Sequence, residues 1–145
     1  MEIMNDAILQ RAKFLAQHFE RSDLHSITLL ILYDLGISVH CSGFDYLKHI
    51  VPLAFQKASQ IYVKELMEEV GKRYSPNVEY SVMETAVRDA IKKARRRGSD
   101  DRWKCYFPDY ILQKRKPPTN AEFISALAYF LEMWYECCKE GSYEK

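Results

Sequence analysis

The sequence predicts an all-α fold, a single bundle of approximately six helices that contains a helix-turn-helix. Two observations support this prediction. Apolar residues recur every three or four positions along most of the chain, and no alternating apolar pattern lasts long enough to indicate a strand. Five glycines and five prolines interrupt a chain of 145 residues, a length typical of one domain. The helices are therefore expected to share one core.

Three helices are predicted in the first part of the chain. Residues Asn5 to Phe19 have one apolar face and form the first helix. The second helix covers Leu24 to Leu35 and ends at Gly36, because glycine readily adopts the left-handed conformation that closes many helices. The third helix covers about Phe44 to Ala58 and contains Pro52, whose ring predicts a kink or a division.

The next segments alternate between helical spacing and turn chemistry. Ile61 to Arg73 is predicted as a fourth amphipathic helix, and residues 74–77 have the composition of a turn. A long helix then covers Tyr80 to Arg97 and stops at the following glycine. Residues Gly98 to Lys116 are predicted to be irregular, and they are rich in aromatic side chains.

The last predicted helix begins at Thr119 or Asn120 and runs to about Cys138. Glu122 falls in its first turn, where a carboxylate is favourable. These elements define how the chain is organised. The predicted parts are an N-terminal extension, a helical effector-like domain and a tail, at residues 1–23, 24–138 and 139–145.

Composition and charge argue against several functional classes. The formal net charge is +1, so any nucleic-acid signal must be local. The longest apolar stretch, Ile27 to Leu35, is too short and too polar to span a bilayer, and no secretory leader is visible. We therefore expect a cytoplasmic protein without a membrane partner. The cysteines and histidines lack metal-site spacing, and no nucleophile motif or phosphate loop occurs, so no enzyme activity, metal or cofactor is predicted.

The helix predicted at Tyr80 to Arg97 has the outline of a recognition helix, because a turn and another helix precede it. Its polar face carries side chains that can reach base edges or phosphates. The predicted DNA-binding residues are Ser81, Glu84, Thr85, Arg88, Lys92, Arg95 and Arg96. Cations at a helix C-terminus also offset the macrodipole, so the basic end alone does not decide the function. A second basic patch, at 114–116, is available for further phosphate contacts.

Three segments, in order and at similar spacing, resemble one known family. The first is DLGISVH at 34–40 followed by GFDYL at 43–47. The second is ETAVRDAI at 84–91 followed by Ala94, Arg97 and Gly98, and the third is KPPTNAEFI at 116–124. Over about Leu24 to Leu131 the chain is similar to the C-terminal DNA-binding effector domain of the master response regulators of sporulation, the stage zero sporulation protein A family. The third segment is the most specific of the three.

The resemblance implies a six-helix effector domain that reads the major groove of short GC-containing boxes, often in tandem. The implied partners are double-stranded DNA and a second copy on a tandem site. Glu84 and Arg88 match DNA-contact positions of the family, and these side chains suit cytosine N4 and guanine O6 and N7. Where the family has further basic contact residues, this chain has Val82, Thr85 and Asp89. Residues 1–23 contain no counterpart of the receiver domain, so the resemblance implies no phosphorylation switch here.

Two functions remain open at the level of sequence. The leading prediction is a sequence-specific DNA-binding transcriptional regulator. The alternative is a protein-interaction module that kept the fold, lost tight DNA binding and pairs with a full-length regulator. The exposed face of the predicted recognition helix distinguishes them. Positive potential from Arg88 to Arg96 favours DNA, whereas a field dominated by Glu84 and Asp89 favours the module.

Overall fold

The computed structural model describes residues 6–57 and 62–143, and its regular structure there is entirely helical, which confirms the all-α prediction. Six helices of 11 to 24 residues carry the fold. Two four-residue helices precede the last of them. In chain order the helices are α1 (Asp6–His18), α2 (Leu24–Asp34), α3 (Ser42–Lys57), α4 (Val63–Tyr74), α5 (Tyr80–Arg97), α6 (Asp100–Trp103), α7 (Asp109–Leu112) and α8 (Asn120–Tyr143).

Most predicted helix bounds agree with the structure to within a few residues. Helix α5 matches its predicted range, and Gly36 has the expected positive φ, at 91°. Helix α3 continues through Pro52 without a division. Helix α8 ends at Tyr143, beyond the predicted Cys138. The predicted ends at Asn5, Ala58 and Ile61 lie outside the described residues.

The segment after α5 was predicted to be irregular, and this was wrong in part because it forms α6 and α7. Ser99 caps α6, since its hydroxyl accepts a hydrogen bond from the Asp101 backbone N–H at 3.2 Å. Pro108 immediately precedes α7, a position where its missing N–H costs nothing. Helices of a single turn leave no apolar periodicity in the sequence.

The core is shared by the long helices and the segment that contains α6 and α7. Helix α3 packs on α2, α4, α5 and α8, and α1 packs along α8. Trp103, Phe107 and Phe123 form an aromatic cluster, with ring centroids 4.7 to 5.9 Å apart. All three side chains are fully buried. The aromatic segment between α5 and α8 is therefore part of the core.

A buried carboxylate ties α1 to the rest of the domain. The Asp34 side chain is 6% exposed and accepts hydrogen bonds from Arg11 Nη2 at 3.1 Å, from Tyr106 at 2.6 Å and from Arg102 Nη1. Arg11 Nε also donates to the Tyr106 hydroxyl, at 3.0 Å. Burial, and then the bond to Asp34, raise the pKa of Tyr106. The network satisfies a charge that would be costly to bury alone.

Gly43 determines how closely α3 approaches α5. A Cβ atom at this position would lie 2.6 Å from both the Ala86 carbonyl oxygen and the Ala90 Cβ. Only a residue without a side chain allows this contact. The start of α3 therefore lies directly against one flank of α5, with the preceding loop beside it.

Candidate nucleic-acid interface

Helices α4 and α5 are joined by a short turn, residues 75–79. Ser75 donates its backbone N–H to the Gly71 carbonyl at 2.9 Å, and Val78 donates to Ser75 at 3.0 Å. Apolar side chains of both helices are buried beneath the turn. They are Leu66, Met67 and Val70 of α4 and Met83 and Val87 of α5. This packing fixes the angle at which α5 leaves the turn.

Helix α5 is amphipathic, as its sequence predicted. The buried stripe consists of Met83, Val87, Ala90, Ile91 and Ala94. Most of the predicted DNA-binding residues point away from this stripe. The exposed ones are Ser81, Thr85, Arg88, Lys92 and Arg96, and the half-buried ones are Glu84 and Arg95. The helix thus presents most of the predicted set on one face.

Glu84 and Arg88 form a pair one turn apart on α5. Arg88 Nη2 lies 3.5 Å from Glu84 Oε1, and the Arg88 side chain is exposed whereas that of Glu84 is half-buried. Such a pair on a helix surface is worth only about 0.2–0.5 kcal/mol, so a ligand can separate the two groups at little cost. The Glu84 carbonyl oxygen accepts a bond from Asn120 Nδ2 at 3.2 Å, which joins α8 to this flank.

Arg95 is held more firmly than its neighbours. Its guanidinium lies 5.1 Å from the centre of the Trp103 ring, and its Nη1 is 2.8 Å from Asp100 Oδ1. The hydrogen bond from Arg95 lowers the pKa of Asp100. The Arg95 side chain is 20% exposed. In the free protein, the main contacts of Arg95 therefore join α5 to α6.

A groove of about 720 Å³ runs between the start of α3 and one flank of α5. The α3 wall comes from the loop and first turn, and the α5 wall from successive turns of one flank. The wall residues include Ser38, His40, Cys41 and Ser42 on one side and Val82, Thr85, Asp89, Lys93 and Arg97 on the other. Lys93 and Arg97 were not among the DNA-binding residues predicted from the sequence. They follow Asp89 at successive intervals of four residues, and this spacing is the signal that could have found them.

The loop before α8 carries further charged side chains. Thr119 and Glu122 form a capping box: the Glu122 N–H donates to Thr119 Oγ1 at 3.1 Å, and the Thr119 N–H donates to Glu122 Oε1 at 3.0 Å. Lys114 also pairs with Glu122. Arg115 and Lys116 are exposed. The cap explains physically why the third sequence segment has a threonine and a glutamate three residues apart.

The site contains no arrangement typical of metal or membrane chemistry in the parts that the structure describes. At residues 6–57 and 62–143, no group of three histidine, cysteine or acidic side chains is placed to hold a metal ion. No helix in the same ranges is long and apolar enough to cross a membrane. His40, which matches a family position, lies in the loop before α3, where its N–H donates to Ser38 Oγ at 3.3 Å.

The comparison with known families agrees with this geometry. The family model described as the sporulation initiation factor Spo0A C terminal matches residues 28–131, which confirms the resemblance found in the sequence. The match begins inside α2 and ends inside α8, and it includes α4, the turn and α5. That family is a regulatory domain and is not known as an enzyme. The chain belongs to the family of Spo0A C-terminal domains, which bind DNA in the regulation of sporulation.

Proposed function

We propose that this protein is a sequence-specific transcriptional regulator whose α4 and α5 form a DNA-binding helix-turn-helix, with α5 as the recognition helix. One observation carries the proposal. Lys92, Lys93, Arg96 and Arg97 are exposed on α5 and take part in no ion pair within the described residues. Four free cations on one helix give a local positive field despite a net charge of +1.

Base recognition is assigned to Glu84 and Arg88. In the free protein these side chains neutralise each other at 3.5 Å. On DNA, Arg88 would donate to guanine O6 and N7, and Glu84 would accept from cytosine N4. Exchange of the weak surface pair for these contacts is favourable, because a bidentate base contact contributes about 1–3 kcal/mol of discrimination. Ser81 and Thr85, nearer the start of the helix, complete the surface that faces the bases.

Backbone contacts are assigned to the basic side chains that flank this surface. Lys92 and Arg96 are exposed and unpaired among the described residues, and they reach phosphates on one side. Arg95 is also assigned to a phosphate contact, and its packing on the Trp103 ring orients its guanidinium group. One residue of 114–116 adds a contact beside the start of α8. Phosphate contacts of this kind determine register and affinity, and they carry no sequence information.

The proposed ligand is a GC-containing box in double-stranded DNA, and two copies of the protein occupy boxes in tandem. Two recognition helices that read the same face of a duplex are about one helical turn apart, near 34–36 Å. We therefore also propose that the protein acts in the cytoplasm, where it meets chromosomal DNA. We expect each copy to bind its own box, with the second copy adding avidity.

The alternative function, an interaction module without tight DNA binding, is supported by one observation. Asp89 is exposed on the same helix as Glu84, so part of the face repels phosphate. In that case the acidic side chains would meet a basic partner, such as a full-length regulator of the family. Binding to duplex DNA separates the two functions.

The test is selection of bound sequences from random duplex DNA, followed by titration at several salt concentrations. If Lys92, Arg95, Arg96 and one residue of 114–116 meet phosphates, about four counterions are released. The slope of log K against log salt should then be on the order of −4. A slope near zero, or no binding at low salt, would contradict the DNA function and favour the interaction module.

A further inference from the structure

The first turns of α5 expose an apolar side chain that the core does not use. Val82 is 55% exposed and does not pack against the apolar cluster, whereas Val78 and Tyr80 nearby do. Thr85, one turn later, is also exposed. Residues three apart on a helix are neighbours, so the Val82 and Thr85 methyl groups form one small patch, the methyl pair.

The methyl pair lies on the flank of α5 that borders the groove. Both residues line this groove, whose total volume is about 720 Å³. Glu84 and Arg88 lie on the other flank, next to Asn120 of α8. The two flanks therefore offer different chemistry to a ligand that covers the exposed face: charged groups on one side and methyl groups on the other.

The methyl pair lies in the first turns of α5, the part of a recognition helix that contacts bases. In a helix-turn-helix the N-terminal residues of the second helix contact base edges in the major groove. Valine can neither donate nor accept a hydrogen bond. The apolar feature on a base edge in the major groove is the C5-methyl group of thymine. Asp89 follows one turn later and disfavours a phosphate strand against this part of the flank.

Resting on the proposed function, we infer that the methyl pair reads the C5-methyl group of a thymine. The box of this protein then contains a T·A pair next to the G·C pair assigned to Glu84 and Arg88. Thr85 contributes its methyl group, and its hydroxyl remains free to contact a neighbouring base edge. The departure from the family's basic residues at these positions is thus a change of specificity rather than a loss of binding.

The experiment removes the methyl group from the DNA alone. Each thymine of the selected box is replaced in turn by deoxyuridine, which keeps all the hydrogen-bonding groups, and the affinity of the full chain is measured. We expect one or two positions at which the replacement weakens binding about fourfold, the effect of losing one buried carbon group. In the Val82→Ala and Thr85→Ser variants the same replacement should have little further effect.

The control variant is Val39→Ala, which removes an exposed valine outside α5 and should retain the full response to deoxyuridine. Circular dichroism melting establishes that each variant is folded, and alanine in place of Val82 favours a helix. If the protein binds the box tightly and no deoxyuridine replacement weakens binding, the inference is overturned and the proposed function is retained. A response that persists unchanged in both methyl-pair variants would also overturn it. Failure to bind any duplex at low salt would remove both proposals together.

Discussion

The two ends of α5 are held in different ways. At the C-terminal end, the Gly98 N–H donates to Ala94, and a Cβ on Gly98 would lie 2.5 Å from Trp103 Nε1 and 2.9 Å from the Leu35 carbonyl oxygen. Trp103 Nε1 also donates to that oxygen at 3.0 Å. At the N-terminal end, Glu79 precedes the helix without a side-chain capping bond. One end is thus anchored by close contacts with Leu35 and Trp103, whereas the other begins without a side-chain cap.

This difference suits a helix that reads DNA. A recognition element must be positioned rigidly, and its contact residues must remain free to meet the ligand. The hydrogen bond from Trp103 to Leu35, and the close packing of Gly98 against both residues, satisfy the first condition at the C-terminal end. The exposed Ser81 and Thr85 satisfy the second. Substitutions at the C-terminal end should therefore change stability, and substitutions at the N-terminal end should change binding.

The largest expected effect is on stability at the C-terminal end. Trp103→Ala removes a fully buried ring, its stacking on Phe107 and its bond to Leu35, so the free energy of unfolding should fall by about 3–5 kcal/mol. Trp103→Phe keeps an aromatic ring and removes the N–H donor, so it should cost less. Urea denaturation of the three proteins measures both. A loss below about 1 kcal/mol for the alanine variant would show that this end is not anchored as described.

The second prediction compares two arginines of α5. Arg88→Ala should reduce discrimination between the selected box and a scrambled duplex by about 1–3 kcal/mol, because it removes the proposed bidentate base contact. Arg96→Ala should weaken binding to both duplexes alike, because a phosphate contact carries no sequence information. Titration of each variant against both duplexes is the measurement. Equal, sequence-independent losses from both variants would show that Arg88 does not read a base.

Much of the fold could be predicted from the sequence, because the long helices have clear periodicity and clear ends. Helix α5 is bounded by turn residues on one side and Gly98 on the other, and its predicted range agrees with the structure. The placement of Trp103 could not be predicted, because its partners Leu35 and Phe123 are distant in sequence. Short helices such as α6 depend on such tertiary contacts more than on local propensity.

The candidate site could be predicted only in part, for the same reason. Helical spacing identified the exposed face of α5. It did not reveal that Arg95 lies over Trp103 or that the groove exists, because both depend on elements that pack against α5. Gly43 was visible as part of a family-like segment. Its role became clear only when the structure placed it against Ala86 and Ala90.

The third prediction changes the exposed flank of α5. Thr85→Arg combined with Asp89→His restores basic character where the family has it and removes a charge that repels phosphate. Affinity for a GC box of the family type should rise by about 1–3 kcal/mol if one good base contact is regained. Stability should change by less than about 0.5 kcal/mol, because both positions are exposed. No gain on this box or on a scrambled duplex, with the fold intact by circular dichroism, would favour the interaction module.

The smallest expected effect concerns the contact between α8 and the N-terminal half of α5, where Asn120 donates to the Glu84 carbonyl oxygen. The hydrogen bond from Lys114, followed by that from the Thr119 backbone, lowers the pKa of Glu122 in the cap of α8. A carboxylate with a lowered pKa stabilises the fold above its unfolded pKa, about 4.3, and this stability is lost as the pH falls through the folded pKa.

Glu122→Gln keeps an oxygen acceptor for the Thr119 N–H and removes the charge that Lys114 contacts. Because the pair is exposed to solvent, the variant should lose only about 0.5 kcal/mol of unfolding free energy at pH 7. The difference from the parent should shrink towards zero as the pH falls from 5 to about 3. Urea denaturation across this range measures it, with Glu132→Gln, an exposed position of the same helix, as the control for the loss of one charge. A difference that stays constant with pH would show that ionisation of Glu122, and hence its pairing with Lys114, does not contribute to the stability of the fold.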